Sequence, residues 1–317
     1  MTFPTTSRII VTGAAGLLGQ NLITELVIQG YENILAIDKD AVNLEILHRL
    51  HPQVKCVLAD LSENGNWVEE FSEQDILFLL QAQITGRTYE PFAKNTIEST
   101  KNVIKAIKKH PVKFTVFVGS SVVNSVADDN YTRSKKAQEA LISDSDLPYC
   151  VARPTLMFGW FDPKHLGWLS RFMEKVPVYP IPGNGKFLRQ PLYARDFARI
   201  LIKCAALQNN KAIYDVVGNE EITYIDIIRK IKKVKGLHTI ILKIPVWLFR
   251  LLLKTYALFV KNPPFVADQL DALTAGDYFN GVDVEKTFGI KLTPFEKALE
   301  ETFTDPKFSK VILERWK

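Results

Sequence analysis

The first apolar run of the chain is followed at once by a turn with glycines at positions 13, 16 and 19. Residues 9–12 are rich in β-branched side chains and helical spacing begins at residue 17, so the turn joins a strand to a helix. A helix that starts in this way directs unpaired N–H groups and the positive end of its dipole at the turn, where a pyrophosphate can bind. Glycine is needed because a Cβ would block that approach. The sequence therefore predicts dinucleotide contacts at Gly13, Ala15, Gly16, Leu17, Leu18 and Gly19.

Apolar β-branched runs alternate with helical periods through the first half of the chain. The predicted strands are 9–12, 34–38, 54–59, 76–80, 114–119 and 149–152, and the helices between them are 17–29, 42–50, 91–109 and 131–142. This alternation predicts an α/β fold of the Rossmann type, with a doubly wound parallel sheet of six or more strands. We expect residues 1–155 to form the dinucleotide-binding domain and residues 156–317 a smaller mixed C-terminal substrate lobe, interwoven with the first.

Composition excludes several classes of protein. With 47% apolar and 24% charged residues, the chain is globular rather than disordered. Its net charge of +5 is mild and spread along the chain, so no nucleic-acid partner is expected. Three widely spaced cysteines and five dispersed histidines indicate neither a disulfide framework nor a metal site, which suits a cytoplasmic protein.

The longest hydrophobic stretch, 237–260, is the one segment that could meet a membrane. Lys243, Pro245, Arg250 and Lys254 interrupt it, so no transmembrane helix is expected, and the polar N-terminus predicts no signal peptide. Within the stretch, residues 246–260 combine a wide apolar face with two basic residues one turn apart. Two interpretations stay open: an interfacial helix in peripheral contact with a membrane, or a helix buried against the C-terminal lobe.

An acidic residue, Asp38, ends the predicted second strand, 19 residues after Gly19. A carboxylate in that place accepts hydrogen bonds from the adenosine ribose and repels a 2′-phosphate, which favours NAD over NADP. The neighbouring Lys39, a further expected cofactor contact, acts against this preference. Asp60 and Leu61 follow the third strand and are expected at the adenine edge, unless Asp60 only caps the next helix.

A tyrosine and a lysine one helical turn apart, Tyr131 and Lys135, begin a predicted helix directly after a loop. Free tyrosine has a pKa of about 10, too high for acid/base catalysis at neutral pH, but an ammonium group and a nicotinamide cation nearby would lower it. Strand five ends in Ser120 and Ser121, at the sheet edge where a substrate would lie. We expect Ser121 to hydrogen-bond the substrate oxygen while Tyr131 exchanges its proton.

With these motifs the chain resembles the extended short-chain dehydrogenase/reductase family, the NAD-dependent epimerase/dehydratase group, over nearly its whole length. The TGxxGxxG turn matches residues 12–19, the Ser-Ser strand end matches 120–121 and the YxxSK helix matches 131–135. Residues 153–159 are similar to the family's RPxxVYG segment beside the nicotinamide. Residues 185–196 are similar to its GxxxRxFxxVxD stretch.

The resemblance implies a role for each matching residue. Tyr131 would be the acid/base, Lys135 would bind the nicotinamide ribose and tune Tyr131, and Ser121 would fix the substrate oxygen. Asn95 lies where the family often has an asparagine that orders the active site, and Arg189 where nucleotide-sugar members contact a substrate phosphate. The remaining implied cofactor contacts are Gln81, Ala82, Gln83, Asn95, Ser120, Pro154 and Leu156, and the remaining implied substrate contacts are Gln83 and Val122.

Three functions are compatible with this pattern. The leading hypothesis is an NAD-dependent epimerase or dehydrogenase/reductase acting on a nucleotide-activated sugar, supported by Arg189. The alternative is a dehydrogenase/reductase of a hydrophobic, steroid-like alcohol, supported by the apolar segment 246–260. The third is a non-catalytic NAD-binding subunit. The resemblance makes dehydration less favoured, because no acidic residue directly follows Ser121, where dehydratases of the family have Asp-Glu. Tyr131 lies only ten positions after Ser121, an interval shorter than in sugar-nucleotide members, so the loop that often reaches over the substrate is cut down.

A homodimer is expected from the same resemblance, since family members often associate through two helices that here would be 90–109 and 131–142. The first helix has more apolar residues than one sheet face needs, namely Phe92, Ile97, Val103, Ile104 and Ile107. In a twofold contact these residues would form the centre, and the lysines of the same helix would form the rim.

Overall fold

The computed structural model describes residues 3–126, 128–259, 270 and 278–314. Seven parallel strands form its central sheet, and short two-stranded sheets complete the second lobe. The strands are β1 (Ile9–Thr12), β2 (Ile34–Asp38), β3 (Lys55–Leu58), β4 (Ile76–Leu79), β5 (Phe114–Val118), β6 (Tyr149–Pro154), β7 (Met157–Phe158), β8 (Val178–Pro182), β9 (Leu188–Arg189), β10 (Leu192–Tyr193), β11 (Ala212–Val216), β12 (Ile222–Thr223) and β13 (Ile240–Ile244).

The strand order in the central sheet is β11-β6-β5-β4-β1-β2-β3, and every pairing is parallel. The chain therefore builds outward from β1 to β3, returns to β4 beside β1, and builds outward again in the other direction. This arrangement confirms the predicted Rossmann-type α/β fold. It also places a topological switch point between β1 and β4, where the carboxyl ends of parallel strands leave a crevice for ligands.

Two of the helices that connect strands begin after an aspartate that caps them. Asp40 accepts a hydrogen bond from the Asn43 N–H at 3.0 Å, and Asp129 accepts one from the Thr132 N–H at 2.7 Å. The helices are α1 (Leu17–Ile28), α2 (Ala41–Leu50), α3 (90–109), α4 (Asn130–Ser143), α5 (Leu166–Lys175), α6 (Ala194–Leu207), α7 (Tyr224–Val234), α8 (Val246–Phe259), α9 (Val284–Phe288) and α10 (Phe295–Thr304).

Both faces of the central sheet are buried, and each has its own hydrophobic core. Neighbouring residues of β1 divide between them: Ile9 and Val11 join the core that contains α1 and α6, whereas Ile10 joins the core that contains α3. All four residues of β1 are buried, as a strand covered by helices on both faces requires. The core thus fixes the ends of β1, β4 and β5, which carry the residues of the site.

The second lobe has a separate hydrophobic core formed by α5, α7 and α10. Its strands pair only in twos, β10 with β7, β12 with β9, and β13 with β8. The C-terminal half nevertheless contributes β11 to the edge of the central sheet, beside β6. A strand from beyond residue 155 thus completes the central sheet, and the division of the chain at that residue stays a prediction.

More of the apolar residues of α3 are buried within the protein than the sequence predicts. Phe92, Val103 and Ile107 are at most 3% exposed, and Val103 and Ile107 belong to the core between α3 and the sheet. Ile97 and Ile104 are the partly exposed members of the five. The face offered to a second copy is thus smaller than predicted, and the homodimer stays a prediction.

Two properties of the described residues bear on the site. No helix in this part of the chain is long and apolar enough to cross a membrane. No cluster of three or more histidine, cysteine, aspartate or glutamate side chains among these residues has the arrangement of a metal site.

Candidate functional site

A single elongated cavity of about 1090 Å³ runs from the glycine turn into the second lobe. Its cofactor end lies at the carboxyl ends of β1, β2 and β4, and its far end lies between α5, β8 and α8. Nearly all residues that the sequence predicts at the site line this cavity. The predicted residues that line it are Gly13, Gly16, Leu17, Leu18, Gly19, Asp38, Lys39, Asp60, Leu61, Gln81, Ala82, Gln83, Asn95, Ser120, Ser121, Val122, Tyr131, Lys135, Pro154, Leu156 and Arg189. Ala15, also predicted as a cofactor contact, is not among the lining residues, and its N–H donates to Asp38 instead.

Glycine is favoured at each of the three positions of the turn for a different physical reason. Gly13 has a φ of +69°, and a Cβ there would lie 2.7 Å from the backbone nitrogen of Gln81. A Cβ on Gly19 would lie 2.4 Å from the Ala14 carbonyl oxygen, so this glycine lets helix and turn pack closely. Gly16 is different, because a Cβ there would meet only the Gly13 oxygen at 3.5 Å. Its open side faces the cavity and leaves room for a phosphate.

The first N–H groups of α1 are available to such a ligand. Gly16 is the N-cap of this helix, and no side chain caps it. The helix has no acidic residue in its first turn, so the positive end of its dipole is not neutralised locally. The turn therefore fits the pyrophosphate of a dinucleotide, as the sequence predicts.

Asp38 is buried at the end of β2, with 5% of its surface exposed. One carboxylate oxygen accepts a hydrogen bond from the Ala15 N–H at 2.9 Å, and the other accepts one from the Asp40 N–H at 3.0 Å. Burial raises the pKa of this carboxyl, while these backbone donors oppose the rise. Asp38 thus holds the glycine turn in place, and each oxygen keeps lone-pair capacity for a ribose hydroxyl.

Lys39 belongs to a polar network across three strand ends. Its ammonium donates to the Asn95 side-chain oxygen at 2.5 Å and lies 3.4 Å from an Asp60 carboxylate oxygen. The Asn95 amide in turn donates to the Gln83 side-chain oxygen at 2.7 Å. Asp60 also accepts hydrogen bonds from the N–H and hydroxyl of Ser62, so it forms a turn as well as this ion pair. The charge of Lys39 is therefore partly compensated by Asp60.

The asparagine of this network lies on an irregular helical turn. Residues Ala93–Glu98 form a π-helical segment within α3, a feature that is frequent at functional sites. Within it, the Thr96 hydroxyl accepts a hydrogen bond from the Gln83 N–H at 2.9 Å. The widened turn thus fastens the loop after β4 through both Asn95 and Thr96. Nothing in the local sequence pattern indicated this widening.

Tyr131 lies in the first turn of α4, and its hydroxyl hydrogen-bonds the Ser120 side chain. Burial raises the pKa of Tyr131 above its ordinary value of 10.0, and the bond to Ser120 counters this in part. The sequence predicts a lowered value, so the protein by itself does not supply the expected shift. A lower value would need added positive charge beside the phenol, such as that of a bound nicotinamide.

The two serines at the end of β5 make different contacts. Ser121 begins a short 3₁₀ turn, Ser121–Asn124, is 4% exposed and lines the cavity. Ser120 precedes that turn, and its hydroxyl accepts a weak hydrogen bond from the Val122 N–H at 3.4 Å. The bond to Tyr131 is with Ser120, whereas the sequence assigns Ser121 to the substrate oxygen. That assignment stays a prediction.

Lys135 is 2% exposed and held from two sides. Its ammonium donates to the Val118 carbonyl oxygen at 2.9 Å and to the Gln138 side-chain oxygen at 2.5 Å. Burial lowers the pKa of Lys135 to about 7. An ammonium group has three donors, so two are used by the protein and one is left for a ribose hydroxyl.

Gln138 was not predicted from the sequence, although it organises this part of the site. It is fully buried, and its amide donates to the Thr100 hydroxyl at 2.9 Å and to the Gln81 carbonyl oxygen at 3.1 Å. It therefore joins Lys135 on α4 to α3 and to the loop after β4. Its spacing of three residues from Lys135 is a local signal, whereas its partners Gln81 and Thr100 are 57 and 38 residues away and could not be found from spacing.

The far end of the cavity is lined by large apolar side chains. Trp168 and Phe172 of α5 stack at 5.1 Å between ring centroids, and Phe172 meets Tyr179 edge-on at 6.0 Å. The apolar lining contributed by α8 consists of Phe249, Leu252, Leu253, Tyr256 and Phe259. The sequence placed no substrate contact on any of these residues.

Polar side chains at this end include Arg189 and Tyr224, together with Asp162, Lys164 and His165 just before α5. Arg189 lies on β9 and lines the cavity, as the sequence predicts for a substrate contact. The Tyr224 hydroxyl shares a hydrogen bond of 2.9 Å with the Tyr179 hydroxyl. This end of the cavity is thus an apolar chamber with one guanidinium group among its lining residues.

Two curated relatives are similar to part of the chain. The ceramide reductase of Caulobacter vibrioides is 24% identical over 178 residues, which are 55% of this chain and 53% of that protein. The decarboxylating sterol-4-alpha-carboxylate 3-dehydrogenase of Homo sapiens is 26% identical over 204 residues, or 57% of this chain and 52% of that protein. The chain spans about half the length of these two relatives.

Among solved structures, the Bordetella bronchiseptica enzyme WbmF in complex with NAD+ and UDP has a TM-score of 0.73 at 17% identity. The likeness covers 94% of this chain and 91% of WbmF, and at that identity it describes the fold. A model of the NAD dependent epimerase/dehydratase family matches residues 9–217, a range that contains the glycine turn, both serines and the tyrosine–lysine pair. That match covers well over half of this chain, so the chain belongs to the NAD dependent epimerase/dehydratase family.

Proposed function

We propose that this enzyme is a dehydrogenase/reductase that interconverts a hydrophobic secondary alcohol and its ketone. The observation that carries the proposal is the apolar chamber beyond Tyr131, formed by aromatic and aliphatic residues of α5 and α8. A chamber of this kind stabilises a ligand by removing apolar surface from water, at about 25 cal/mol for each Å² buried. A sugar ring with several hydroxyl groups would lose hydrogen bonds to water there without recovering them.

The sequence relatives support the same substrate class. The names of the two relatives refer to ceramide and to a sterol carboxylate, both largely apolar molecules. The alternative hypothesis from the sequence, a hydrophobic alcohol, is therefore preferred here to the nucleotide sugar. The non-catalytic hypothesis loses its support, because the chain belongs to a family of NAD-dependent enzymes.

The residues around Tyr131 can move a proton between the substrate oxygen and the protein. Bound NAD supplies the hydride acceptor, or in its reduced form the hydride donor. In oxidation, ionised Tyr131 takes the hydroxyl proton as the alcohol becomes a ketone, and Ser120 stabilises the phenolate by hydrogen bonding. In reduction, Tyr131 returns that proton to the oxygen. Ser121 lines the cavity and is the residue we assign to the substrate oxygen.

Lys135 contributes positive charge on the same helix, one turn from Tyr131. Its ammonium is fixed by Val118 and Gln138, and it is held where one further donor can bind the nicotinamide ribose. Because a cation stabilises a neighbouring phenolate, Lys135 lowers the barrier to ionisation of Tyr131 only while it is protonated. Activity should therefore depend on the protonation state of a group with a pKa of about 7.

A nucleotide-activated sugar is the second candidate, and one observation favours it. Arg189 lines the same chamber, at the position where the family resemblance implies a contact with a substrate phosphate. A guanidinium binds phosphate through two parallel hydrogen bonds. In this reading the enzyme would be an epimerase or oxidoreductase of that sugar.

The two candidates differ in a direct assay. Purified protein with NAD+ or NADH is tested against long-chain secondary alcohols, 3-hydroxysteroids, their ketones and UDP- and GDP-hexoses, with NADH absorbance and product mass as readouts. Epimerisation, which gives no net NADH, is detected by separating the product sugars. We expect turnover with at least one hydrophobic substrate. Turnover confined to a nucleotide sugar would refute the proposal.

A pair of matched variants identifies which wall of the chamber binds substrate. Leu253→Asn makes the α8 wall polar, and it should raise the KM for a hydrophobic alcohol by about 10-fold or more, the value expected for losing one buried side chain. Arg189→Ala removes the guanidinium and should leave that KM nearly unchanged. The reverse pattern, with Arg189→Ala alone damaging the KM, would support the nucleotide sugar.

A further inference from the structure

Helix α8 exposes large apolar side chains on the side away from the cavity. Trp247, Leu251 and Leu258 are 68%, 51% and 81% exposed, and their spacing of four and seven residues places them on one stripe of the helix. Ile240 and Leu242, on the strand just before the helix, are 62% and 50% exposed. We call these five residues the docking face. An exposed apolar group of this size usually marks a contact with a partner or a membrane.

The opposite stripe of the same helix is a wall of the substrate chamber. Phe249, Leu252, Leu253 and Tyr256 line the cavity at helical spacing. Leu252 and Tyr256 are at the same time 47% and 44% exposed, so the cavity opens to the outside along this helix. One short helix thus separates the chamber from whatever covers the docking face.

The segment of the chain that carries the docking face is basic, although four of its cations pair with acids: Arg229 with Asp226, Lys230 and Lys233 with Glu296, and Lys235 with Glu174. Residues 227–267 contain nine lysines and arginines and no aspartate or glutamate. The rest of the chain has 31 basic against 35 acidic residues, so this segment is the source of the positive net charge. Lys243 and Lys254, within and beside the docking face, are both exposed.

The exposed apolar residues and the basic residues around them together fit an anionic phospholipid surface. An anionic phospholipid surface attracts lysine and arginine near the interface and accepts leucine and tryptophan at the boundary of headgroups and acyl chains. A second copy of the chain would bring an equally basic face against this one, which is unfavourable. At 14 residues α8 fits a helix that lies in the interface plane.

We propose that the docking face binds the surface of an anionic phospholipid bilayer, and that substrate enters the chamber from the bilayer past α8. The second clause rests on the proposed hydrophobic substrate, whereas the first does not. The arrangement allows an apolar substrate to pass from acyl chains to the Tyr131 end of the cavity without crossing water. Binding to such a bilayer would account for both the exposed apolar residues and the excess of basic residues in this segment.

Vesicle sedimentation of the full chain tests the first clause. Phosphatidylcholine vesicles are compared with vesicles that also contain phosphatidylglycerol, and we expect binding to the anionic vesicles that weakens at high salt, because screening reduces the charge attraction. The double variant Trp247→Ser, Leu258→Ser should lose about 10-fold or more of this binding, because each substitution removes a membrane-buried side chain. The matched control Ile28→Ser, Leu58→Ser, at residues 57% and 60% exposed elsewhere, should bind as the unmodified protein does.

Three results would overturn the docking proposal. They are absence of binding to anionic vesicles by the unmodified protein, equal loss in the control variant, and a dimer in solution that the Trp247 and Leu258 substitutions dissociate. The last result would assign the face to a second copy of the chain. Circular dichroism of each variant shows whether the fold is kept, so a loss of binding can be attributed to the face.

The route of substrate entry is tested separately by comparing two assays of the same double variant. Turnover of a water-soluble alcohol should be unchanged, because Trp247 and Leu258 do not line the cavity. Turnover of a long-chain alcohol embedded in anionic vesicles should fall in parallel with vesicle binding. If vesicles bind but no hydrophobic alcohol is a substrate, the proposed function fails and the docking face stands. If alcohols are oxidised but vesicles do not bind, only the docking proposal fails.

Discussion

Replacing Gln138 tests how the buried Lys135 keeps its charge. The Gln138 side-chain oxygen accepts a hydrogen bond from the Lys135 ammonium at 2.5 Å, and both side chains are almost fully buried. Gln138→Leu keeps much of the volume and removes this acceptor. The Gln138 oxygen stabilises the ammonium form of Lys135 more than the neutral amine. We therefore expect the pKa of Lys135 to fall below its present value of about 7 when this oxygen is removed.

The size of the shift follows from the energy of the bond. A hydrogen bond to a charged group contributes about 1.5–3 kcal/mol. One pKa unit corresponds to about 1.4 kcal/mol, so removal of the bond should lower the pKa of Lys135 by about one to two units. The opposite change, Gln138→Glu, places a carboxylate beside the ammonium and should raise it.

The assay is the pH dependence of kcat/KM for each variant. Activity should fall as Lys135 loses its proton, so the high-pH limb moves to lower pH in Gln138→Leu and to higher pH in Gln138→Glu. A residue that only supports the fold would change the height of the profile without moving its limbs. Limbs that coincide in all three proteins, with the fold intact, would refute the argument.

Stability gives an independent check of the same pKa. The folded-state value of about 7 lies below the ordinary value of 10.5, so between these pH values the unfolded chain binds a proton that the folded chain does not. The contribution of Lys135 to the free energy of unfolding therefore rises with pH through this window. In Gln138→Leu the rise should begin at lower pH, as measured by urea denaturation at a series of pH values.

Three further predictions concern the rest of the site. Tyr131→Phe should reduce turnover by about 10²-fold or more with NAD affinity nearly kept, as single-turnover assays and titration would show; turnover near that of the unmodified enzyme would exclude Tyr131 as acid/base. NAD should bind more tightly than NADP because the Asp38 carboxylate repels a 2′-phosphate, and equal affinities in calorimetry would contradict the ribose assignment. The predicted homodimer should have twice the 36.0 kDa mass of the chain in light scattering and should weaken in Ile104→Asp, whereas a monomer mass at all micromolar concentrations would exclude it.

The sequence predicts well those parts of the fold that depend only on residues close together in the chain. The strand at 9–12, the glycine turn and the start of α4 depend on side-chain type and spacing within a few residues, and each occurs close to where it was predicted. Asp129 caps α4 and so fixes the position of Tyr131 and Lys135 at its start. Local chemistry is therefore enough to predict where this helix begins.

The parts that were not predicted depend on residues far apart in the chain. Gln138 is 38 residues from its partner Thr100, and Lys39 is 56 residues from Asn95. The apolar chamber is another example, because α8 meets α5 and β8 only after the second lobe has folded. No periodicity within one segment contains this information, so such contacts could be found only from the structure.

The edge strand β11 has a consequence for how the chain is made. It pairs with β6 from Ala212 to Val216, so β6 stays an open edge until more than two thirds of the chain has left the ribosome. Unpaired strand edges are templates for association with other chains. A fragment that ends at residue 155 would keep that edge permanently and should aggregate, although it contains the glycine turn and the catalytic helix. Until β11 is made, β6 is therefore an edge at which a nascent chain can associate with other chains.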